Sequence, residues 1–208
     1  MMKESVRRAD AIVRGLLNFS REKKLVRRPE DINLAIDQSL SLVRHKLQKG
    51  KIKIATQLDR KCPRVSVDRE KIERVLVNMY LNALDAMPEG GQLYVRSFVA
   101  SPLSPREKTG QRLGDRFGAG EPAVMVEVED TGQGMDEEIK KNVFDPFFTT
   151  KGHSGGTGLG LSVVKNIVDE HKGLITVESE KGKGTKFTLA FKIARGDTYG
   201  PEKSAGGG

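Results

Sequence analysis

The chain has no tryptophan, three tyrosines and a single cysteine, Cys62. One thiol cannot close an internal disulfide, so nothing here asks for an oxidising compartment. Apolar residues never run for the roughly 20 positions that a membrane-spanning helix needs. The opening Met1-Met2-Lys3-Glu4 also lacks the apolar core of a signal peptide. The expectation is a cytoplasmic protein without membrane contact. Three histidines, His45, His153 and His171, lie scattered, with no cysteine or acidic cluster at metal-ligand spacing, which argues against a zinc site.

What is present is charge, unevenly placed. The 208 residues carry a net +8. Residues 1–61 hold 16 Lys/Arg against 7 Asp/Glu, whereas residues 62–208 hold 20 against 21. The basic excess therefore belongs to the N-terminal segment. No aromatic residues interleave these charges, so a partner-facing helical surface fits better than a nucleic-acid patch, and no nucleic-acid partner is expected.

Hydrophobic spacing divides the chain into three parts. Residues 1–28 form the first part, in which 3–25 read as a long helix, with Val6, Ala9, Val13 and Leu16 at heptad spacing and Ile12 and Phe19 widening the stripe. So broad a stripe must be buried against other helices. Pro29 breaks the pattern. Residues 29–195 alternate helical and strand signals: a helix capped at Asp31 or Asn33, with Ile32, Ala35, Ile36, Leu40, Val43 and Leu47 inward and Gly50 as the stop, then a strand over Ile52–Leu58. A helix follows from Asp68 to Met87, then strands near 92–100 and 123–129 around the Pro- and Gly-rich Ser101–Pro122, which reads as a long mobile hairpin loop. Residues 130–160 read as loop-rich. A helix near 161–172 and strands near 174–179 and 185–193 complete the set, and the tail 196–208 reads as disordered. The predicted fold is α+β: a two-layer sandwich, its mixed sheet covered on one face by three helices, preceded by one long helix.

Three motifs carry chemistry. On the 68–87 helix, Asn78, Asn82 and Asp85 follow i, i+4, i+7 and form a polar stripe beside the core stripe Ile72, Val75, Leu76, Met79, Ala83 and Met87. Their side-chain oxygens suit a hard cation such as Mg²⁺, and a solvated helix face is the alternative. Asp130-Thr131-Gly132-Gln133-Gly134 follows a valine-rich strand. A carboxylate there can accept from an exocyclic amino group, and the glycines let backbone approach a flat base; a tight turn into a helix capped by Asp136 is the alternative. Gly156-Thr157-Gly158-Leu159-Gly160 opens a helix, where bare N–H groups and the helix N-terminus cradle phosphate. It lacks the Lys-Ser/Thr ending of the GxxxxGK[ST] loop. Between the last two, Phe144, Phe147 and Phe148 place three of the eight phenylalanines within five positions. They read as the anchor of a lid over 149–157, with Lys151 able to swing toward phosphates.

In this order and spacing, the motifs of residues 30–193 resemble the ATP-binding domain of sensor histidine kinases, which shares a superfamily with the gyrase, heat-shock-chaperone and mismatch-repair ATPases. The "FDPFFTTK" segment resembles the nitrogen-regulation and sporulation type. Leu16-Leu17-Asn18-Phe19-Ser20-Arg21 resembles the second helix of the dimerisation and phosphotransfer hairpin. The resemblance implies ATP and Mg²⁺ as cofactors, with Asn82 the metal ligand and Asn78 beside the phosphates. It also implies that Asp130 holds the adenine amino group, while Gly132, Gly134 and Thr185 shape the base pocket. Gly156, Thr157, Gly158, Leu159 and Gly160 then line the phosphates, Asp85 lies near them, and Phe144, Phe148 and Lys151 serve the lid, with Asn78, Asn82 and Lys151 as the catalytic set. The implied reaction moves the γ-phosphoryl group to a histidine and onward to the receiver domain of a response regulator. Gyrase-like relatives carry a water-activating glutamate where Asn78 stands, so only slow hydrolysis is expected.

Two departures matter. The phosphoacceptor histidine followed by an acidic residue is absent, so a histidine-bearing hairpin of a kinase becomes a partner and self-phosphorylation is not expected. Asp85 stands where many relatives carry a basic residue. The single hairpin helix leaves room for a weak homodimer. Competing readings are a non-catalytic nucleotide-binding module and a serine kinase of the anti-sigma-factor type.

Overall fold

The computed structural model describes residues 24–100, 117, 121–150 and 156–197. The expected helix up to Leu25 lies almost wholly outside these residues, as do the tail from 198, most of the 101–122 loop, and Lys151 within the lid.

Two 18-residue helices carry most of the core. Helix α1, Ile32–Lys49, starts where Asp31 accepts the Asn33 N–H at 2.8 Å and ends at Gly50. Helix α2, Arg69–Ala86, starts where Asp68 accepts the Lys71 N–H and ends at Met87. The predicted inward stripes are both buried: Ile32, Ala35, Ile36, Leu40, Val43 and Leu47 on α1, and Ile72, Val75, Leu76, Met79, Ala83 and Met87 at α2. Removing a side chain of this size from water contributes about 1.5–3 kcal/mol.

These helices lie on a five-stranded sheet. In chain order its strands are β2 (Ile52–Leu58), β4 (Gly91–Ala100), β5 (Ala123–Asp130), β6 (Leu174–Glu180) and β7 (Gly184–Lys192); β1 (Arg28–Glu30) and β3 (Val65–Val67) pair separately. The large sheet runs β2-β4-β5-β7-β6. Only β2 and β4 are parallel, because α2 intervenes between them; the other pairs are antiparallel hairpin neighbours or returns. Alternation sends Leu93, Val95, Val124, Val126, Val128, Leu189 and Phe191 into the helix layer. A short helix α3 (Glu137–Asn142) follows β5, and α4 (Gly160–Glu170) packs beside α2, completing three long helices on one face.

On the opposite face, Arg96 bridges Glu127 and Glu129, and a smaller apolar group of Phe117, Met125, Leu174 and Ala190 closes one end. Phe117, between β4 and β5 in the chain, is buried at 1% exposure. The β1–β3 ribbon is the element that spacing did not reveal. Three-residue strands are too short for alternation to mark them, and Pro29, which read as a break, sits in β1 opposite Ser66. Through Val65 and Ile193 the ribbon ties the entering chain to the exit of β7.

Candidate functional site

The C-terminal half of α2, the end of β5, α3, the start of α4 and the β6–β7 turn surround a cleft of about 820 Å³. Its floor is Asp130, which stands opposite Leu93 on β4 and Thr185 on β7. Asp130 is 6% exposed, and burial pushes its carboxyl above the usual range, an effect opposed by the N–H groups of Gly132 and Thr185. Gly132 donates to Asp130 Oδ1 at 2.8 Å. That contact orients the carboxylate and leaves it further acceptor capacity for a donor.

The turn after Asp130 depends on two glycines. A Cβ on Gly132 would stand 2.7 Å from the Ala86 carbonyl oxygen. Gly134, at φ +63°, rests on the Glu180 and Gly184 carbonyls, where any side chain would overlap them. Ser179 fastens the same corner. Its hydroxyl accepts the Met135 N–H at 2.9 Å, donates to Gly184 O at 2.8 Å, and lies 3.0 Å from Thr185 Oγ1. Met135, Ile139, Val143 and Phe187 give this end an apolar wall.

The other end is built from amide and bare backbone. Gly160 begins α4 facing Asn82: a Cβ there would lie 3.9 Å from both amide atoms of Asn82. Leu159 provides no side-chain cap, so the helix presents open N–H groups to the cleft. Asn82 Nδ2 is buried and has no hydrogen-bond partner. An unpaired buried amide costs about 1–3 kcal/mol, which a bound anion or metal-bridged phosphate would relieve. The oxygen of the same amide suits Mg²⁺, so these residues fit that ion. Phe147 and Gly158, which flank the segment expected to form a lid, clasp: Phe147 N–H donates to Gly158 O at 2.9 Å, with both residues at left-handed φ, +67° each. Phe147 is nevertheless 54% exposed.

Among the residues singled out in the sequence, Asn82, Asp85, Asp130, Gly134, Phe148, Gly156, Thr157, Gly158, Gly160 and Thr185 line the cleft together. Asn78 sits one turn earlier on α2, half-buried and outside the lining. Gly132 packs against Ala86 and Asp130 beside the lining, and Leu159 is the N-cap of α4; neither lines the cleft itself. Phe144 packs on Phe187, with ring centroids 6.3 Å apart and edge-to-face, so it supports the wall from the core. Lys151 falls outside the described residues. Spacing missed the apolar wall because residues 130–160 read as loop; Ile139 and Val143, four apart after the Asp136 cap, were the available signal. Lys181 and Gln133 also join the lining.

A buried carboxylate beside an apolar slot, joined to an uncapped helix start and an unpaired amide, defines a nucleotide-binding α+β sandwich. Residues 67–195 match the family of histidine kinase-, DNA gyrase B- and HSP90-like ATPases, and the chain belongs to that family. It is 38% identical over 189 residues to the sensor kinase CckA of Brucella abortus (strain 2308), matching 90% of this chain and 19% of that protein. It is 35% identical over 202 residues to the sensor histidine kinase ZraS of Escherichia coli (strain K12), matching 96% and 39%. The chain thus spans well under half the length of these curated relatives. Among solved structures, the catalytic domain of the histidine kinase ThkA superposes with a TM-score of 0.61 at 28% identity, covering 82% of this chain and 97% of that one. ThkA in complex with the response regulator TrrA gives 0.67 at 28% identity, covering 92% and 49%. Full-length ShkA with AMPPNP shares the fold, at 0.68 and 24% identity, over 88% and 36%.

Proposed function

We propose that the chain is the ATP-binding catalytic part of a sensor histidine kinase in two-component signalling. The observation that carries this is the unpartnered Asn82 amide, facing the open start of α4 in the cleft whose other end is the buried Asp130. Asp130 accepts the adenine amino group and Thr185 closes the base slot beside it. Asn82 would hold Mg²⁺ through its oxygen, with Asn78 one turn earlier on α2. Gly158 and Gly160 leave room for the phosphates against the α4 N–H groups, and Lys151, outside the described residues, is assigned by the resemblance to charge neutralisation there. Mg²⁺, when bound, neutralises charge on the phosphate oxygens.

In the transfer, the bond between the γ-phosphorus and the β,γ-bridging oxygen breaks, and its electron pair leaves with ADP. A bond forms from an acceptor imidazole nitrogen to phosphorus. The phosphoryl group then passes to an aspartate on a response regulator. The chain's residues position and neutralise; Asn78, standing where hydrolytic relatives carry a glutamate, cannot take a proton from water. The acceptor histidine belongs to a hairpin that the 1–28 segment would complete, and the basic segment would dock an acidic regulator face, with association that weakens as salt rises.

The test is calorimetric titration of a non-hydrolysable ATP analogue with and without Mg²⁺. The wild-type chain is expected to bind more tightly with Mg²⁺. Asn82→Ala should remove most of that Mg²⁺ dependence. Asp130→Asn, which loses a charge-assisted hydrogen bond of about 1.5–3 kcal/mol, should weaken binding roughly 10- to 100-fold. Affinity untouched by either change would overturn the assignment.

A further inference from the structure

Away from the cleft, the start of α2 meets the end of α4 in a compact polar joint. His171 caps α4 at 4% exposure. Its Nδ1 lies 2.7 Å from Ile167 O, and its Nε2 accepts the Asp68 backbone N–H at 2.9 Å. One imidazole makes both bonds only as the neutral tautomer protonated on Nδ1, because Nε2 must offer a lone pair. Asp68 in turn gives both carboxylate oxygens to different segments. Oδ1 accepts the Lys71 N–H at 3.3 Å, and Oδ2 accepts the Val26 N–H at 3.1 Å. Lys71 Nζ reaches Glu170 at 2.7 Å alongside.

Val26 lies in the stretch by which the chain enters the domain, two residues before Arg28 pairs with Val67. The entering chain, the cap of α2 and the end of α4 therefore share one hydrogen-bonded unit. Helix α4 is 11 residues, or about 16 Å, and its other end faces Asn82. A packed helix tilts as a body, so displacing its capped end displaces its open end.

We infer that His171 and Asp68 are positioning residues, coupling the segment that enters at Val26 to the phosphate-facing start of α4. The functional meaning of that start rests on the kinase reading; the mechanical coupling does not. Burial holds His171 below its ordinary value, with Asp68 and Glu170 pulling toward the charged form and Lys71 away from it. Protonation would point a second donor at the Asp68 N–H and open the joint.

Hydrogen exchange at Val163, Val164 and Lys165, in the first hydrogen-bonded turns of α4, reads the coupling without nucleotide; a parallel titration with the ATP analogue reads its effect on the site. The variants are His171→Gln, which keeps a donor and an acceptor but does not titrate, His171→Leu, which has neither, and Val26→Pro, which removes the N–H that Asp68 accepts. At pH 7.5, His171→Leu and Val26→Pro should speed exchange at these three amides by up to about tenfold, the loss of one hydrogen bond. His171→Gln should stay near wild type. Between pH 7.5 and 5.5, after correction for intrinsic exchange, wild type should lose protection there and His171→Gln should not. Comparing the two proteins at each pH also cancels protonation of the ligand. If only residues 167–173 respond and the three amides do not, the joint is local capping and the inference is wrong. Altered exchange in a protein that binds no analogue would keep the coupling and remove the kinase reading; tight binding with unaltered exchange would do the reverse.

Discussion

The two ends of the α2–α4 pair are built on opposite terms. At the closed end, both ring nitrogens of His171 and both oxygens of Asp68 are matched, and Lys71 meets Glu170. At the open end, Asn82 Nδ2 has no partner, α4 starts without a side-chain cap, and Asp130 is held in a setting that disfavours its charge. The same two helices thus carry a satisfied joint and an unsatisfied cleft. The difference teaches where the fold is fixed and where binding free energy can be gained: polar groups that water cannot reach and protein does not pair are the ones a ligand stabilises most.

The largest test of this contrast is steric. Gly134→Ala puts a methyl into the Glu180 carbonyl at φ +63°, whereas Gly182→Ala, at φ +82°, meets nothing within 4 Å. Both incur the left-handed strain of about 1–2 kcal/mol, but only the first adds overlap. Gly134→Ala should therefore lower stability by about 3 kcal/mol or more and abolish nucleotide binding. Gly182→Ala should cost about 1 kcal/mol and leave affinity within twofold. Urea unfolding and calorimetry check both. Equal effects would mean that the corner yields and the close packing there is not what shapes the site.

Much of this architecture was legible in the sequence, for identifiable reasons. The stripes of α1 and α2 follow helical spacing from strong N-caps, so every expected stripe residue is buried, with Asn33, Ser39 and Tyr80 buried besides. The valines of β5 alternate, and the Asp130 turn is marked by its glycines. The rest needed tertiary contacts. The β1–β3 ribbon is too short for any period, and its pairing joins residues nearly 40 apart. Phe144 belongs to the core because Phe187 approaches from another strand. His171 looked like one of three scattered histidines; only the packing of α4 on α2 brings Asp68 to it.

A middle-sized effect concerns charge at the open end. The Asp130 carboxyl is raised from its ordinary 3.8 in the folded chain, chiefly by burial. The unfolded chain therefore ionises first as pH rises, and stability is lost between that value and the raised one. Above the raised value the cost of the buried carboxylate is complete. Asp130→Asn removes the titration while keeping an oxygen for the Gly132 N–H. Its thermal midpoint at pH 7 should equal or exceed that of wild type, and the gap should narrow toward pH 4, even though nucleotide binding is weakened. A midpoint clearly below wild type at pH 7 would mean that the carboxylate stabilises the empty domain, contrary to the contrast drawn here.

The smallest effect separates an orphan polar atom that binding uses from one that it does not. Tyr80 and Asn82 stand two residues apart on α2, and each has a buried polar atom without a partner. Tyr80 is wholly enclosed by the core, and burial raises the pKa of its phenol, partly offset by the nearby Ser39 hydroxyl. Ser39 itself donates to Ile36 O at 2.9 Å. Deleting an unpaired buried hydroxyl removes a desolvation cost and little else, so Tyr80→Phe should lie within about 0.5 kcal/mol of wild type and leave nucleotide affinity unchanged. A cost near 1.5 kcal/mol would show that Ser39 accepts from the phenol in solution and that the core is paired after all. Asn82 would then be the one unmatched buried polar side chain among the described residues, and the division of α2 into a satisfied body and an open binding end would become sharper still.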